Sequence, residues 1–263
     1  MYPELFKIGN FEISSFGLMA AIAFLVAYWV SSFEFKRKGL TEKLLSNAFL
    51  AIIIGGIGGA KILYVIENVP ISQVIGNPLG YLFSRGGLTF YGGFIGAVIL
   101  LLIVAKRSKT SFWMIGDAIS PSLALAYAIG RIGCFLVGDD YGIISNLPWA
   151  ISFPKGLPPT TERVHPTQLY EVIAMTVVFL IIWKIRKKPA PNGWLFSTYF
   201  ILAGFERFLI EFIRSTTQSP IPHLSVAQVM AIVLIAVGAI KLIQINSLNP
   251  QAAPKISSAR KKR

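Results

Sequence analysis

The sequence is short of cysteine and of charged residues. Cys134 is its one cysteine among 263 residues, which excludes an internal disulfide and a CxxC metal site. Charged residues make up 14% of the chain, against roughly 25% in soluble domains, while 54% of the residues are hydrophobic. Several apolar runs reach the roughly 20 residues that a helix needs to cross a bilayer. The composition therefore excludes an ordinary soluble domain and predicts a membrane protein.

Acidic residues are scarce as well, with 12 against 25 lysines and arginines, which gives a formal net charge of +13. In a soluble protein this excess would suggest a nucleic-acid partner. Here the basic residues cluster between apolar runs, so membrane orientation explains them better and we expect no nucleic-acid partner. The apolar runs predict an all-α bundle of about seven transmembrane helices. The predicted spans are 14–33, 45–67, 91–106, 113–137, 166–185, 193–213 and 225–246.

The basic residues alternate with the spans. Sixteen lysines and arginines follow spans one, three, five and seven, whereas four lie in the connections on the other side. Because positive loops stay in the cytoplasm, this pattern predicts an N-terminus outside and a C-terminus in the cytoplasm. The four residues on the outer side are Lys7, Arg85, Lys155 and Arg163.

We predict one seven-span domain over residues 1–246. Residues 68–90 are too apolar for a solvated loop and too interrupted for a span, so they predict an interfacial segment. Residues 138–165 are rich in Gly and Pro and predict a small extracytoplasmic cap loop, with a strand-like run at Trp149–Phe153. Residues 247–263 predict a basic cytoplasmic tail without fixed structure. The chain shows no internal repeat, which weighs against an inverted-repeat transporter.

Ionisable residues inside spans are costly and therefore mark functional candidates. At about 1.5 Å per helical residue, Arg131 and Arg207 lie roughly 10 Å below the outer boundary, and Lys61 and Glu171 lie roughly 8 Å below it. With Glu211 the layer carries an excess of positive charge, which favours an anion such as a lipid phosphate. Two alternatives stay open: Glu211 and Arg214 could form a structural ion-pair network, and Lys61 could extend to the interface.

Three segments combine residues that suit a binding site. The first contains Tyr91, Gly92 and Gly93 between glycine pairs, where glycine permits close approach of a ligand or a tightly packed helix. The second runs from Gly130 to Gly142 and joins Arg131 to a glycine-rich exit bearing Asp139 and Asp140. Its Cys134 could be a nucleophile but is expected to be a small packing residue.

The third segment is Val164–Glu171. Pro166 suits the first turn of span five, which places His165 at the membrane boundary. Gln168, Tyr170 and Glu171 follow within the first two turns. A neutral imidazole at this position could relay a proton, or it could cap the helix.

Taken together, these motifs resemble the prolipoprotein diacylglyceryl transferase family. The resemblance rests on Gly-Arg-x-Gly with a Gly-acidic-x-x-Gly exit, on His-Pro-Thr-Gln-Leu-Tyr-Glu, and on Arg-x-x-x-Glu-x-x-Arg, which occur here in the family's order. The runs at 13–18 and 58–64 are also similar, and the resemblance covers roughly residues 8–235. The family commonly carries histidine where Tyr91 stands here, and asparagine where Cys134 and Val137 stand.

The resemblance implies a multi-pass enzyme of the bacterial inner membrane. Such an enzyme transfers the diacylglyceryl group of phosphatidylglycerol to the lipobox cysteine of preprolipoprotein signal peptides and needs no metal or cofactor. On this basis we predict four catalytic residues: Arg131, Arg207, His165 and Tyr91. The predicted lipid-binding residues are Arg131, Arg207, Lys61, Gly92, Gly93, Asp139, Gly142, Gln168, Tyr170, Glu171, Glu211 and Arg214. Alternatives are a lipid-binding paralogue with altered or lost activity and a lipid transporter or scramblase.

Overall fold

The computed structural model of the chain describes residues 2–8, 11–77, 80–81, 87–214 and 223–248. Long helices dominate this part, and each of the seven predicted spans corresponds to one of them. They are α1 Ser15–Arg37, α2 Glu42–Asn68, α4 Phe90–Arg107, α5 Phe112–Val137, α6 Thr167–Ile185, α7 Trp194–Ile210 and α8 Val226–Leu248. A short helix, α3 Ile71–Gly76, lies between α2 and α4.

Six of these helices are long and apolar enough to cross a membrane. The remaining long helix, α7, has 17 residues and continues directly into a 3₁₀ turn at Glu211–Ile213. The prediction of an all-α multi-pass membrane protein is therefore confirmed, whereas its orientation in the membrane stays a prediction.

Several helices extend beyond the apolar runs at their basic ends. α1 continues to Arg37, and α4 ends with Lys106 and Arg107 in its last turn. Cations in the last turn are favourable because the exposed carbonyl groups give that end a partial negative charge. α2 begins at a Thr41 N-cap, whose hydroxyl accepts a hydrogen bond of 3.2 Å from the Leu44 amide. The ends of the helices thus follow capping and charge as well as hydropathy.

The chain divides into two compact units. The first unit comprises residues 1–24 and 123–263, and the second comprises residues 25–122. The single domain expected over residues 1–246 stays a prediction.

Glycines set the packing of α2 on α4 in the second unit. A Cβ added at Gly55 would overlap the carbonyl oxygen of Gly96, and a Cβ added at Gly59 would overlap that of Gly92. The two helices therefore approach so closely that only glycine fits at these four positions. Residues Gly92 and Gly93 both lie against the α2 backbone, which gives them a structural role, while their predicted contact with lipid stays a prediction.

The first unit has an apolar core between α5, α6 and α7. Ala124, Met175 and Ile182 are buried there together with Leu195. A two-stranded hairpin, β1 Glu4–Ile8 with β2 Phe11–Ser14, precedes α1 and was absent from the sequence-based expectation. Residues 9–10, between the two strands, lie outside the described part.

The cap loop between α5 and α6 is ordered by a second hairpin. β3 Ile151–Phe153 pairs antiparallel with β4 Thr160–Val164, so a strand forms over the last three residues of the strand-like run predicted at Trp149–Phe153. The buried Phe153 ring stacks on Tyr141 with ring centroids 5.2 Å apart. Of the predicted interfacial segment, residues 78–79 and 82–86 lie outside the described residues, as do residues 249–263 of the predicted tail.

Candidate active site

Three helices, one 3₁₀ turn and one loop of the first unit bring charged side chains together. α5 supplies Arg131, α6 supplies Glu171 and α7 supplies Arg207. The 3₁₀ turn after α7 supplies Glu211, with Arg214 directly behind it, and the loop after α5 supplies Asp140. We call these six residues the arginine cluster.

Glu171 is the centre of the arginine cluster. Its carboxylate is fully buried and lies 2.8 Å from the Arg131 Nε and 3.2 Å from the Arg207 Nη1. Arg214 Nη1 lies 3.7 Å from the same carboxylate. One acidic side chain on α6 therefore holds three guanidinium groups that come from different parts of the sequence.

Asp140 links two of these arginines a second time. Its carboxylate lies 2.9 Å from Arg131 Nη1 and 2.6 Å from Arg214 Nη2. Burial raises the pKa of Asp140, but the guanidinium groups of Arg214 and Arg131 outweigh this effect, so the net pKa lies below its usual value. Asp140 has a positive φ of 59°, a conformation that aspartate tolerates better than most residues.

Arg207 closes the other side of the cluster. Its Nη2 lies 2.8 Å from the buried carboxylate of Glu211, one helical turn further along. The predicted ion-pair network of Glu211 and Arg214 is therefore present, but the two residues have different partners: Glu211 pairs with Arg207, whereas Arg214 pairs with Asp140 and Glu171.

The sequence analysis missed Tyr127 as a member of this site. Its hydroxyl donates a 3.1 Å hydrogen bond to Glu171 and accepts a 3.2 Å bond from Arg131 Nη2. The Arg131 guanidinium also lies over the Tyr127 ring, 5.2 Å from its centroid. The signal was available, because Tyr127 lies four residues before Arg131 and so shares its helix face. Asp140 was noticed in the glycine-rich exit but was not selected as a site residue.

The structure changes the charge balance expected from the sequence. Within the arginine cluster, three arginines face three carboxylates, and Lys61 belongs to the other unit. Within the first unit the arginine cluster therefore has equal numbers of positive and negative groups, and an added positive charge from Lys61 stays a prediction. Among the described residues, however, the buried Nε and Nη1 of Arg214 have no hydrogen-bond acceptor, so donor capacity remains for a further anionic group.

The loop after α5 is held against the start of α6. The Gln168 side-chain amide donates to the Asp139 carbonyl oxygen, and the Thr167 hydroxyl donates to that of Asp140 at 2.8 Å. Burial raises the pKa of Asp139 above its usual value, and the neighbouring Asp140 carboxylate raises it further. These contacts fix the Asp140 carboxylate beside Arg131 and Arg214.

Arg214 is positioned by backbone pairing with the cap loop. Gly142 and Arg214 form an isolated antiparallel bridge, and the Ile143 amide donates a 2.9 Å hydrogen bond to the Ile213 carbonyl. The Gly142 amide also donates to the His165 carbonyl at 2.9 Å. A Cβ at Gly142 would overlap the Ile213 carbonyl oxygen, which explains the glycine at this position.

His165 lies at the entrance to α6 in contact with Tyr170, which in turn contacts Trp149. Its Nδ1 is 3.3 Å from the Tyr170 hydroxyl, which in turn accepts a 2.7 Å hydrogen bond from the Trp149 indole N–H. Trp149, which the sequence analysis assigned only to a strand, therefore belongs to the surroundings of His165. No described contact joins His165 to the guanidinium groups of the arginine cluster.

The remaining predicted residues belong to the second unit. Lys61 on α2 is 4% exposed, lies 3.4 Å from the Gly87 carbonyl oxygen and stands over the Tyr64 ring. This burial argues against its extending to the interface. Tyr91 is the second residue of α4 and contacts Phe90 edge-on, with ring centroids 5.8 Å apart. The prediction that Lys61 and Tyr91 act with the arginine cluster stays a prediction.

Cys134 is buried on α5 beside the cluster. Its sulfur lies 3.6 Å from Arg131 Nη1. The same sulfur lies within 4.8 Å of a carboxylate oxygen of Asp139 and of one of Asp140. Three such groups can bind a metal ion, but a guanidinium within contact of two of them opposes a cation. The arrangement suits a packing residue in an arginine-centred site.

The fold and the arginine cluster define a class: a multi-pass helical membrane protein with a buried polar site that can present guanidinium groups to an anion. The model of the prolipoprotein diacylglyceryl transferase family matches residues 3–244. The chain therefore belongs to that family of transferases.

Curated relatives carry a consistent name. The chain is 33% identical over 240 residues to the phosphatidylglycerol–prolipoprotein diacylglyceryl transferase of Clostridium tetani, covering 90% of this chain and 95% of the relative. It is 32% identical over 254 residues to the enzyme of that name from Pasteurella multocida, covering 90% of each chain. For the Escherichia coli relative the identity is 31% over 281 residues, covering 95% and 94%.

Proposed function

We propose that this chain transfers the diacylglyceryl group of phosphatidylglycerol to the lipobox cysteine of a preprolipoprotein at the bacterial inner membrane. The observation that carries the proposal is the convergence of three guanidinium groups on Glu171 and Asp140 within a member of this transferase family. Arginine forks match the geometry of phosphate oxygens, and the leaving group of this reaction is a phosphate ester.

The reaction joins a thiol to an alkyl carbon. The cysteine sulfur forms a bond to the terminal methylene carbon of the diacylglyceryl group, and the bond from that carbon to the phosphate oxygen breaks. The electron pair leaves with glycerol phosphate, and the thiol proton passes to a base. Because the substrate supplies the nucleophile, the protein must position the lipid, stabilise the leaving phosphate and accept one proton.

Arg131 and Arg207 are our proposed phosphate clamp, with Arg214 as a third donor. The carboxylates of Glu171, Asp140 and Glu211 hold the guanidinium groups in place before the lipid enters. The Nε of Arg214 supports its inclusion, because it has no hydrogen-bond acceptor among the described residues and a phosphate oxygen can accept from it without displacing a carboxylate. Gln168, Asp139 and Gly142 would act by holding the loop and Arg214 in position.

Two residues are candidates for the base. His165 is supported by its contact with the Tyr170 hydroxyl, which can orient the imidazole ring. Tyr91 is the alternative, because it occupies the position where the family commonly carries histidine. Lys61, Gly92 and Gly93 would then contribute to lipid binding from the second unit. We propose that no metal or cofactor takes part.

The test is transfer itself. Purified protein is incubated with phosphatidylglycerol and a synthetic lipobox peptide, and the peptide is weighed by mass spectrometry. We expect a mass increase equal to one diacylglyceryl group, release of glycerol phosphate, and no product when serine replaces the peptide cysteine. Lipid binding without any peptide product would instead assign the chain as an inactive paralogue. Movement of lipid between leaflets without product would assign it as a scramblase.

A further inference from the structure

A groove lies between α2 and α4 in the second unit, at the ends of these helices that carry the basic loops. It has a cavity volume of about 530 Å³. None of the residues proposed for diacylglyceryl transfer lines it. The described lining residues are Thr41, Lys43, Leu44, Asn47, Leu50, Ala51, Ile54, Leu100, Ile103, Val104, Arg107 and Ser108.

One end of the groove is polar and basic. Lys43 lies in the first turn of α2, and Arg107 is the last residue of α4, so two cations from different helices border the same cavity. The hydroxyls of Thr41 and Ser108 and the amide of Asn47 add neutral hydrogen-bonding groups. The lining contains no carboxylate among the described residues. This end therefore suits a phosphate group.

The rest of the groove is an apolar wall. Leu50 is 56% exposed, Ile54 54% and Ile103 41%. From Lys43 to Ile54 the helix rises by roughly 16 Å, at about 1.5 Å per residue, so the wall runs from the membrane surface well into the hydrocarbon layer. A molecule that fills the groove must carry an anionic head and an apolar tail in the same order.

We propose that this groove binds one anionic phospholipid of the adjacent leaflet, with its phosphate between Lys43 and Arg107 and its acyl chains along Leu50, Ile54 and Ile103. The charge complementarity selects a lipid over a second copy of the chain, because this chain has a net charge of +13 and its loops on this face are basic. The groove shares no lining residue with the proposed substrate site, including the members of that site in the second unit: Lys61, Tyr91, Gly92 and Gly93.

The test uses the whole chain in nanodiscs that contain equal amounts of phosphatidylglycerol and phosphatidylcholine with identical acyl chains. A photoreactive benzoylphenylalanine replaces Asn47, and the lipid that it captures is identified by mass spectrometry. Two basic residues near a membrane surface predict an enrichment of the anionic lipid on the order of tenfold over the bulk ratio. The same probe at Ile57, which is exposed on α2 but does not line the groove, should report the bulk ratio.

Variants distinguish lipid binding in the groove from attraction of anionic lipid by general surface charge. Lys43→Gln with Arg107→Gln should return the captured ratio to that of the bulk, whereas Lys43→Arg with Arg107→Lys should retain most of the enrichment. Lys36→Gln with Lys106→Gln removes the same charge from the same face outside the groove and should leave the enrichment unchanged. Equal capture of both lipids, equal loss in the control variant, or crosslinking to a second copy of the chain would each overturn the proposal.

Discussion

At the scale of single residues, the arginine cluster depends on the buried carboxylate of Glu171, which several of its members contact. A buried carboxylate is costly unless it is paired and hydrogen-bonded, and Glu171 meets this condition through Arg131, Arg207 and Tyr127. Removing it would leave several guanidinium groups without their shared partner. A loss of activity on changing Glu171 would therefore mix catalysis with stability, and the arginines are the better probes of chemistry.

The arginine clamp can be tested by replacing the planar guanidinium group with an ammonium group of the same charge. Arg131→Lys and Arg207→Lys should each lower transfer to a lipobox peptide by on the order of a hundredfold, because lysine loses the fork that donates to developing negative charge. The melting temperature in detergent should change little, since an ammonium can still pair with Glu171 or Glu211.

The control is Arg186→Lys, a change at the C-terminal end of α6 outside the cluster, which should leave transfer near normal. If the arginines served only as structural ion pairs, both cluster variants would keep their activity, while the alanine variants would lower the melting temperature. That pattern would remove the clamp from the mechanism.

Cys134 gives a second prediction at this scale. Cys134→Ala should retain transfer within a few-fold, because the thiol packs beside Arg131 and the substrate supplies the nucleophile. Prior dialysis against EDTA should also leave the rate of either protein unchanged. Complete loss of transfer by a normally folded Cys134→Ala protein would require a covalent route through this thiol, and loss on chelation alone would point to a bound metal.

At the scale of elements, the contact of α2 with α4 depends on glycine and has little room for relaxation. A Cβ at Gly59 would overlap the Gly92 carbonyl oxygen, which belongs to the opposing backbone and cannot rotate away. Gly58, one residue earlier, has no atom within 4 Å of an added Cβ. The two neighbouring glycines therefore form a matched pair for testing this contact.

Gly59→Ala should destabilise the protein by about 1–3 kcal/mol, as overpacking of a close contact does. Gly58→Ala should be neutral or stabilising by up to about 1 kcal/mol, because alanine favours the helix. Thermal unfolding of both variants in the same detergent measures the difference. Equal melting temperatures for the two variants would mean that α2 and α4 are not in this close contact.

The cap loop also acts as a structural element of the site. Gly142 bridges to Arg214, and the Thr167 hydroxyl and Gln168 amide fix the carbonyls of Asp140 and Asp139. The cap therefore connects the end of α5, the start of α6 and the end of the 3₁₀ turn after α7. The cap loop thereby sets the position of two charged members of the arginine cluster, Asp140 and Arg214.

At the scale of the whole molecule, the distribution of basic residues predicts the orientation. Loops after α1, α4 and α6 are rich in lysine and arginine, so the positive-inside rule predicts that they lie in the cytoplasm. This orientation predicts that the cap loop, with the charged cluster beside it, faces the outside of the cell membrane. This arrangement fits a substrate whose signal peptide has already entered the membrane.

Cysteine labelling in a Cys134→Ala background tests this orientation in intact cells. Ser108→Cys should react with a membrane-impermeant reagent only after the inner face is opened, whereas Lys155→Cys should react from outside; both positions are exposed. Lys155 is preferable to Gly156, where an added Cβ would overlap the Gly138 carbonyl oxygen. The reverse pattern at either position would contradict the proposed topology.

The sequence by itself determined the class of fold and the family. Seven long helices correspond to the seven apolar runs because a span must hide its backbone polar groups and therefore be helical. The same reasoning singled out Arg131, Glu171 and Arg207, since charge inside a span is costly enough to stand out in the sequence. The motif order also identified the family that the comparison confirmed.

Only the tertiary structure decided which side chains pair at the site and which helices pack together. Asp140 and Tyr127 are inconspicuous in the sequence, because a loop aspartate and a helical tyrosine do not stand out until the fold places them beside Arg131. Conversely, the sequence left open whether Gly92 allows close approach of a lipid or of a helix. The structure shows that it packs against the backbone of α2. Pairing and packing depend on distances between segments far apart in the chain, and hydropathy and spacing along one segment do not contain those distances.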